Sequence, residues 1–229
     1  MNTFKLMKTY KLMNNSRLKK LGAGCFSLGG LQYLLAEKIT ALGWQAPVYR
    51  YSQNYISDLG IALCGATADG REICSPLHAV MNFGFAIEGV LFFIACWLLR
   101  SLFSGALRGV FLATGLIHAV GGVMIALFHS GGAISGITLH QVGAVMAIAG
   151  GNLCLISGGW ILRHRRIYGP LSLLAGIFGL VSMALINSGY FPIGLIERAS
   201  VYPITCWQIL TGFYLLASFY LHTDLGRGN

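Results

Sequence analysis

Histidine, carboxyl and guanidinium side chains gather near one end of several long apolar stretches, and these side chains could carry chemistry. His78, His129 and His140 each fall at such an end, and Glu197 and Arg198 lie just before the last stretch. An arginine and imidazoles could hold a phosphate while a carboxylate or imidazole acts as a general base. The pattern therefore predicts a polar ligand site at one face of the protein.

The local sequence predicts that two of these histidines lie in the first turn of a helix. Ser75 precedes a proline, which predicts a serine N-cap and places His78 in the first helical turn. Thr138 and Gln141 have the spacing of a capping box, which places His140 in a first turn. The catalytic candidates of the predicted site are Asp58, His78, His140 and Glu197, and its ligand-binding candidates are Ser75, Asn82, His129 and Arg198.

A second group of polar residues is predicted deeper in the apolar stretches: Glu88, His118, Asn152 and Asn187. Ionisable groups inside a membrane are costly, so Glu88 and His118 are expected to face inward and to find partners. They could form a proton relay, or they could hold helices together as ordinary interhelical contacts. Both interpretations stay open from the sequence.

Six cysteines divide into two kinds. Cys64 and Cys74 lie in a long polar connection, where an oxidising compartment would allow a disulfide; the alternative is two free thiols. The other four lie in apolar stretches, where a thiol behaves as a small hydrophobic group. No Cys-x-x-Cys pair is present, so we expect no metal site.

The elements that must position these residues are six apolar stretches, each about the 20 residues that a helix needs to cross a bilayer. This predicts an all-α fold, a polytopic transmembrane six-helix bundle in a single domain over residues 18–221. Residues 1–17 and 222–229 are predicted tails, and residues 43–77 form an outer loop. The alternative, that the first stretch is a cleaved signal peptide, is less favoured because the stretch is long. The six stretches are Leu18–Ala41, Ala79–Leu99, Ala106–Phe128, Leu139–Leu162, Gly169–Ser188 and Val201–Leu221.

Charge predicts the orientation of this bundle. Of the 16 lysines and arginines, all but Lys38, Arg50, Arg71 and Arg198 fall in the tails or in the connections on the same side. By the positive-inside rule, both termini are expected in the cytoplasm, with the protein in the inner (cytoplasmic) membrane. The net charge of +9 is thus a signal of topology, and no pattern of basic and aromatic residues suggests nucleic-acid binding.

Short blocks of sequence carry a family resemblance over roughly residues 20–221. With these blocks the chain resembles the domain-of-unknown-function 998 family of bacterial and archaeal membrane proteins. The resemblance implies a six-helix membrane protein and no particular activity. His129 departs from the family pattern, which often has proline after the preceding phenylalanine. The blocks are Tyr51-Ser52, residues 56–60, residues 74–82, Gly150-Gly151-Asn152, Glu197-Arg198 and Tyr202-Pro203.

Three functions remain compatible with these patterns. The favoured hypothesis is an outward-facing site that binds or processes a lipid or isoprenoid headgroup. The alternatives are an accessory or scaffold membrane protein and a small proton-coupled transporter. The sequence lacks a nucleophile elbow, a zinc-protease motif and a phosphate-binding glycine loop, and it leaves open whether the protein is an enzyme. We expect no cofactor, haem included; the expected partners are the bilayer, a lipid ligand and further copies of the chain.

Overall fold

The computed structural model describes residues 3–45, 47–67, 70–129 and 137–225, with side chains described from residue 16 to residue 219. The predicted tails at residues 1–17 and 222–229 therefore lie largely outside the described side chains. Six helices account for most of the described chain: α1 Thr3–Gly43, α2 His78–Leu99, α3 Gly105–Leu127, α4 Leu139–Ile161, α5 Tyr168–Leu185 and α6 Ile193–Leu225.

The all-α bundle predicted from the apolar stretches is confirmed. Four helical segments are long and apolar enough to cross a membrane: His78–Leu102, Gly105–Leu127, Leu139–Ile161 and Tyr168–Leu185. The bundle is therefore that of a multi-pass membrane protein. α1 and α6 are longer and carry the charged residues that pack against the loop.

The helices form a closed ring. Each helix packs against its neighbours in sequence, and α6 returns to pack against α1. α4 also contacts α6, so α5 lies at the periphery of the ring. Close approach of α3 and α4 depends on glycine: a Cβ on Gly121 would lie 2.8 Å from Ala147 Cα. The ring thus encloses a core between α1, α2, α3, α4 and α6.

The connection between α1 and α2 covers one end of the ring, which we call the loop end. It contains a short 3-10 helix, Ser57–Gly60, and two antiparallel strands, β1 Gly65–Ala66 and β2 Glu72–Ile73. Cys64 and Cys74 flank these strands with their sulfur atoms 2.03 Å apart, the bonding distance of the predicted disulfide. The opposite end, where α1 begins and α6 finishes, is called the terminal end.

Two local predictions about helix starts have different outcomes. The capping box of Thr138 and Gln141 is confirmed, with both reciprocal bonds present. The serine N-cap is wrong: α2 begins at His78 after Leu77, which makes no capping bond. The hydroxyl of Ser75 instead donates to the carbonyl of Leu59 at 2.6 Å. The serine is needed to hold the 3-10 helix of the loop against α2.

Two clusters of buried apolar side chains fill the ring. The cluster at the loop end includes Tyr33, Ile56 and Phe85, so residues of the loop are part of it. The cluster towards the terminal end is rich in aromatic rings, among them Phe26, Phe92, Phe111 and Trp207. Phe26 packs edge-on against both Phe92 and Trp207, with ring centroids 5.1 and 5.5 Å away. The ring is therefore tightly filled with aromatic groups at its terminal half.

Candidate functional site

Arg198 lies at the start of α6 and joins three parts of the chain. It is 6% exposed and forms an ion pair with Glu37 of α1, which is 2% exposed. Glu37 also accepts hydrogen bonds from the hydroxyl of Tyr202 at 3.1 Å. The partners of the guanidinium are Glu37 Oε1 (2.9 and 3.1 Å), Tyr49 Oη (2.5 Å) and the carbonyls of Tyr51 (2.6 Å), Asn54 (3.0 Å) and Gly194 (3.0 Å).

These contacts decide what Arg198 can bind. A guanidinium has five N–H donors, and the acceptors around Arg198 engage Nε and both terminal nitrogens. Two of the acceptors are carbonyls of the loop, so the arginine ties the loop to α1 and α6. The residue predicted to hold a phosphate therefore has its donors occupied by the protein itself.

Glu88 and His118 form a second buried ion pair in the middle of the ring. Nε2 of His118 lies 3.0 Å from Oε2 and 3.1 Å from Oε1 of Glu88. Nδ1 of His118 lies 2.7 Å from the carbonyl oxygen of Ala147. Both side chains are buried, with exposures of 6% for Glu88 and 5% for His118. The sequence predicted that these residues face inward, and the structure places them in direct contact.

The geometry fixes the number of protons on this pair. A carbonyl oxygen only accepts, so Nδ1 of His118 carries a proton and donates to Ala147. With a neutral imidazole, the lone pair of Nε2 would then face the carboxylate of Glu88, which is repulsive. One more proton must lie between them, either on Nε2 or on the carboxyl group. With this shared proton the pair has no net charge, and without it the pair would carry one negative charge.

Gln208 of α6 completes this group and was not identified from the sequence. Its amide nitrogen donates to Oε1 of Glu88 at 2.9 Å, and the residue is 0% exposed. Its own Oε1 is buried without a hydrogen-bond partner among the described residues. A lone glutamine in an apolar stretch carries little signal, because its partner lies 120 residues away. The amide of Gln208 thus orients one oxygen of Glu88.

A cavity of about 50 Å³ adjoins Glu88 and His118 on the side of the loop end. A second histidine and a second glutamate also line it, His140 of α4 and Glu197 of α6. Ile56 and Ser57 cover it from the loop. At this volume the cavity holds a few water molecules or a very small solute. The remaining lining residues include Tyr33, Phe85, Ile125, Ala147, Val201 and Thr205.

Glu197 and His140 offer hydrogen-bond acceptors to the cavity. Oε2 of Glu197 accepts the backbone N–H of Ile56 at 2.5 Å, so the carboxyl group also holds the loop in place. Nδ1 of His140 donates to the carbonyl of Phe128 at 2.8 Å. A neutral His140 therefore keeps its lone pair on Nε2, which has no partner among the described residues. The cavity is lined by groups that favour a ligand with hydrogen-bond donors.

Other candidates from the sequence lie in the loop and outside the lining of the cavity. Asp58 accepts the N–H of Tyr55 at 2.9 Å and pairs with Arg71. Burial raises the pKa of Asp58 above its usual range, although Arg71 acts in the opposite direction. Asn82 donates to the carbonyl of Gly60 at 2.9 Å. Asn82 and Ser75 thus fasten the 3-10 helix to α2 and its start, whereas both partners of Asp58 lie within the loop.

The remaining candidates are scattered. Nδ1 of His78 lies 3.1 Å from the carbonyl of Ser75 at the start of α2. His129 is exposed beyond the end of α3. Asn152 is fully buried in α4 and donates to the carbonyls of Ile148 and Ser200, each at 2.9 Å, so it joins α4 to α6.

Asn187, predicted to lie within the membrane, is exposed in the turn after α5. α5 ends at Leu185, three residues earlier than the apolar stretch suggests. The structure therefore places Asn187 after the end of α5, and its position relative to the membrane stays a prediction. The structure brings together His140 and Glu197 from the predicted ligand site with Glu88 and His118 from the deeper group.

Comparisons with known proteins give a family and no activity. No group of three or more histidine, cysteine or acidic side chains suited to a metal ion occurs among the residues that the structure describes. No curated protein and no solved structure shows a significant match to the chain. The family described as "Protein of unknown function (DUF998)" matches residues 27–214, which include all the residues of the cavity. Because this match covers most of its length, the chain belongs to the DUF998 family.

Proposed function

We propose that this protein is a small proton-coupled transporter in which Glu88 and His118 carry the coupled proton. The observation that carries the proposal is the contact between these two buried side chains, whose hydrogen bonds require one shared proton. Ionisable residues inside a membrane protein are retained at a cost and commonly mark ion or proton pathways. The pair lies beside a cavity, so its proton has a neighbouring space through which to exchange.

The packing on either side of the pair supports access from one end. Towards the loop end, the cavity extends from Glu88 to Glu197 and His140, and among the described loop residues Ile56 and Ser57 line it. Towards the terminal end, aromatic side chains such as Phe92 and Trp207 fill the core. A transporter needs a site that is open to one side while it is closed to the other. This arrangement is that of a state with access from the loop end.

The lining of the cavity supports a small cation as the transported solute. Glu197 presents a carboxyl group, and a neutral His140 presents a lone pair, while the Glu88–His118 pair contributes no net charge. The volume of about 50 Å³ limits the solute to a few non-hydrogen atoms. Exchange of such a cation for the proton of Glu88 would keep the charge of the site constant. Proton and cation would then compete for the same carboxylates.

The lipid-headgroup site predicted from the sequence has weaker support at this position. Its phosphate was expected to bind Arg198, whose donors are occupied by Glu37, Tyr49 and backbone carbonyls. Drug-sized ligands occupy pockets of about 300 Å³ or more, and this cavity is several times smaller. The alternative is that the Glu88–His118 pair has a purely structural role, and uptake by vesicles separates that role from transport.

Uptake by reconstituted vesicles tests the proposal. Vesicles containing the purified protein and an internal pH-sensitive dye are given an acidic interior, and labelled guanidinium or sodium is added outside. The wild-type protein should take up one of these cations while the interior becomes more alkaline. Glu88→Gln should abolish both signals, because glutamine cannot exchange the proton. Glu72→Gln is the matched control, since Glu72 is exposed on the loop and away from the cavity.

The outcomes separate function from structure. Equal uptake by wild-type and protein-free vesicles would eliminate cation exchange with these probes. Uptake by a folded Glu88→Gln variant would show that the pair does not carry the coupled proton. A folded variant is recognised by its unchanged elution and unfolding profile in detergent. Loss of uptake with a preserved fold is the result that the proposal requires.

A further inference from the structure

A separate groove lies at the terminal end of the bundle, on the opposite side of the aromatic cluster from the cavity. It has a volume of about 180 Å³ and is formed by three parts of the chain. α1 contributes Leu18, the end of α2 contributes Leu98, the turn after α2 contributes Arg100, and the beginning of α3 contributes Arg108. The lining residues are Leu18, Leu98, Arg100, Ser101 and Arg108. The groove combines an apolar wall with two cations.

The two arginines keep most of their donors available, in contrast to Arg198. Arg100 uses Nη1 to donate to the carbonyl of Trp97 at 2.5 Å, and its guanidinium lies 4.3 Å from the centre of the Trp97 ring. Arg108 uses Nε to donate to the carbonyl of Phe103 at 3.0 Å. The described part of the chain offers no acceptor to their other N–H groups. These contacts orient both guanidinium groups and leave terminal nitrogens that can bind an anion.

The surroundings place the groove at the depth of a membrane interface. Trp97 is 49% exposed and stacks with Arg100, while Trp160 is 52% exposed at the end of α4 and lies beneath Arg163. Exposed tryptophans collect at the level of the lipid headgroups. Leu18 is 41% exposed, so an apolar wall faces the region where an acyl chain would begin. Phosphate and the first part of an acyl chain would meet matching surfaces here.

We propose that this groove binds the phosphate of an anionic phospholipid through Arg100 and Arg108. Guanidinium groups bind phosphate oxygens in a bidentate manner, and Ser101, which lines the groove together with the two arginines, has a hydroxyl that is a further donor. Lys19 and Lys20 of α1 follow Leu18 directly and add positive charge beside the groove. The leucines distinguish a lipid from free phosphate, which shares only the anionic contact.

Native mass spectrometry and binding titration of the full-length protein in a mild detergent test this site. The probes are short-chain phosphatidylglycerol, short-chain phosphatidylcholine and inorganic phosphate. Phosphatidylglycerol should bind best. The double variant Arg100→Gln, Arg108→Gln should weaken its binding about tenfold or more, as expected for the loss of charge-assisted hydrogen bonds. Arg163→Gln is the matched control, because Arg163 has the same stacking on a tryptophan but lies outside the groove.

Each outcome decides a separate point. Weakened binding in the double variant with unchanged binding in Arg163→Gln supports the groove. Equal weakening of lipid binding in the double variant and in Arg163→Gln would overturn the proposal, because it would indicate a nonspecific attraction of the lipid to a basic surface. Binding of inorganic phosphate as tight as that of the lipid would assign the groove to a free anion. Leu98→Ala should weaken the lipid alone, and an equal effect on phosphate would indicate a disturbed fold.

Discussion

Arg198 and Glu37 are 161 residues apart in sequence, yet Nη2 of the arginine lies 2.9 Å from Oε1 of the glutamate inside the protein. This ion pair connects the first helix to the last and, through carbonyls of Tyr51 and Asn54, holds the loop over the cavity. A buried charge that loses its partner is strongly destabilising, even where the intact pair adds little. The pair is therefore expected to be structurally essential.

Removal of either partner should unfold the loop end. Glu37→Gln or Arg198→Gln should each lower the free energy of unfolding by about 3–5 kcal/mol. Arg198→Lys should not rescue the fold, because a lysine has three donors and lacks the planar geometry of these contacts. Unfolding in detergent checks the effect. Arg50→Gln, an exposed arginine of the same loop, is the control and should change stability by less than about 0.5 kcal/mol.

The contact between Glu88 and His118 predicts energetic coupling. Glu88→Leu and His118→Leu should each be destabilising, since each leaves a buried polar group without its partner. The double variant should lose about 1–3 kcal/mol less than the sum of the single variants. A double-mutant cycle from unfolding titrations measures this difference. The control cycle combines Glu88→Leu with Tyr168→Phe, because the hydroxyl of Tyr168 pairs with Thr211 and not with Glu88. The free-energy losses of these two substitutions should be additive. Coupling between them would show that the cycle reports a general loss of packing.

Glycine at position 121 should be required for the contact of α3 with α4. Gly121→Ala places a Cβ 2.8 Å from Ala147 Cα, and we expect a loss of about 1–3 kcal/mol in the free energy of unfolding. Gly24→Ala is the matched control, because a Cβ at Gly24 of α1 meets no atom within 4 Å. Alanine there should stabilise the helix by up to about 1 kcal/mol. Equal effects at both positions would contradict the close approach.

We expect the disulfide to protect the loop, rather than the whole protein, from proteolytic cleavage. Cys64 and Cys74 close a loop with a separation of 10 residues, and such loops contribute roughly 2–3 kcal/mol by restricting the unfolded chain. Replacing both cysteines with serine should speed trypsin cleavage after Arg71 about tenfold or more, because the local opening becomes easier. Cleavage products identified by mass spectrometry measure the rate. Cys25→Ser is the control, and an unchanged rate in the loop variant would exclude a protective bond.

The helices could be predicted from the sequence because their signals are local. α2 to α4 begin and end within one residue of the predicted apolar stretches, where polar residues or glycine interrupt the hydrophobic pattern. The end of α5 was placed too late, because Ile186 continues the apolar run although the helix stops at Leu185. Hydrophobicity located the segments but not all of their ends, since α1 begins at Thr3 and α6 at Ile193, well before the predicted Leu18 and Val201.

The candidate site could be predicted only in part. Glu88 and His118 stood out as ionisable residues in apolar stretches, and this signal needs no knowledge of their partners. The role of Glu37 was missed, because its position near the end of α1 suggested an ordinary interfacial charge. Arg198 was expected to bind a ligand, but all of its partners except the carbonyl of Gly194 come from segments more than 140 residues away. Such contacts depend on the order of helices around the ring, which one sequence does not specify.

The closed ring has a consequence for synthesis of the protein. Glu197, Gln208 and Arg198 all belong to α6, the last helix to leave the ribosome, whereas Glu37 and Glu88 belong to the first two. Until α6 arrives, Glu37 lacks the arginine that balances its charge, whereas Glu88 can already pair with His118 of α3 and lacks only the amide of Gln208. A nascent chain that stops before residue 193 therefore exposes one uncompensated carboxyl group, that of Glu37, within its first helix. This would give membrane proteases and chaperones a chemical mark by which to distinguish an unfinished copy from a complete one.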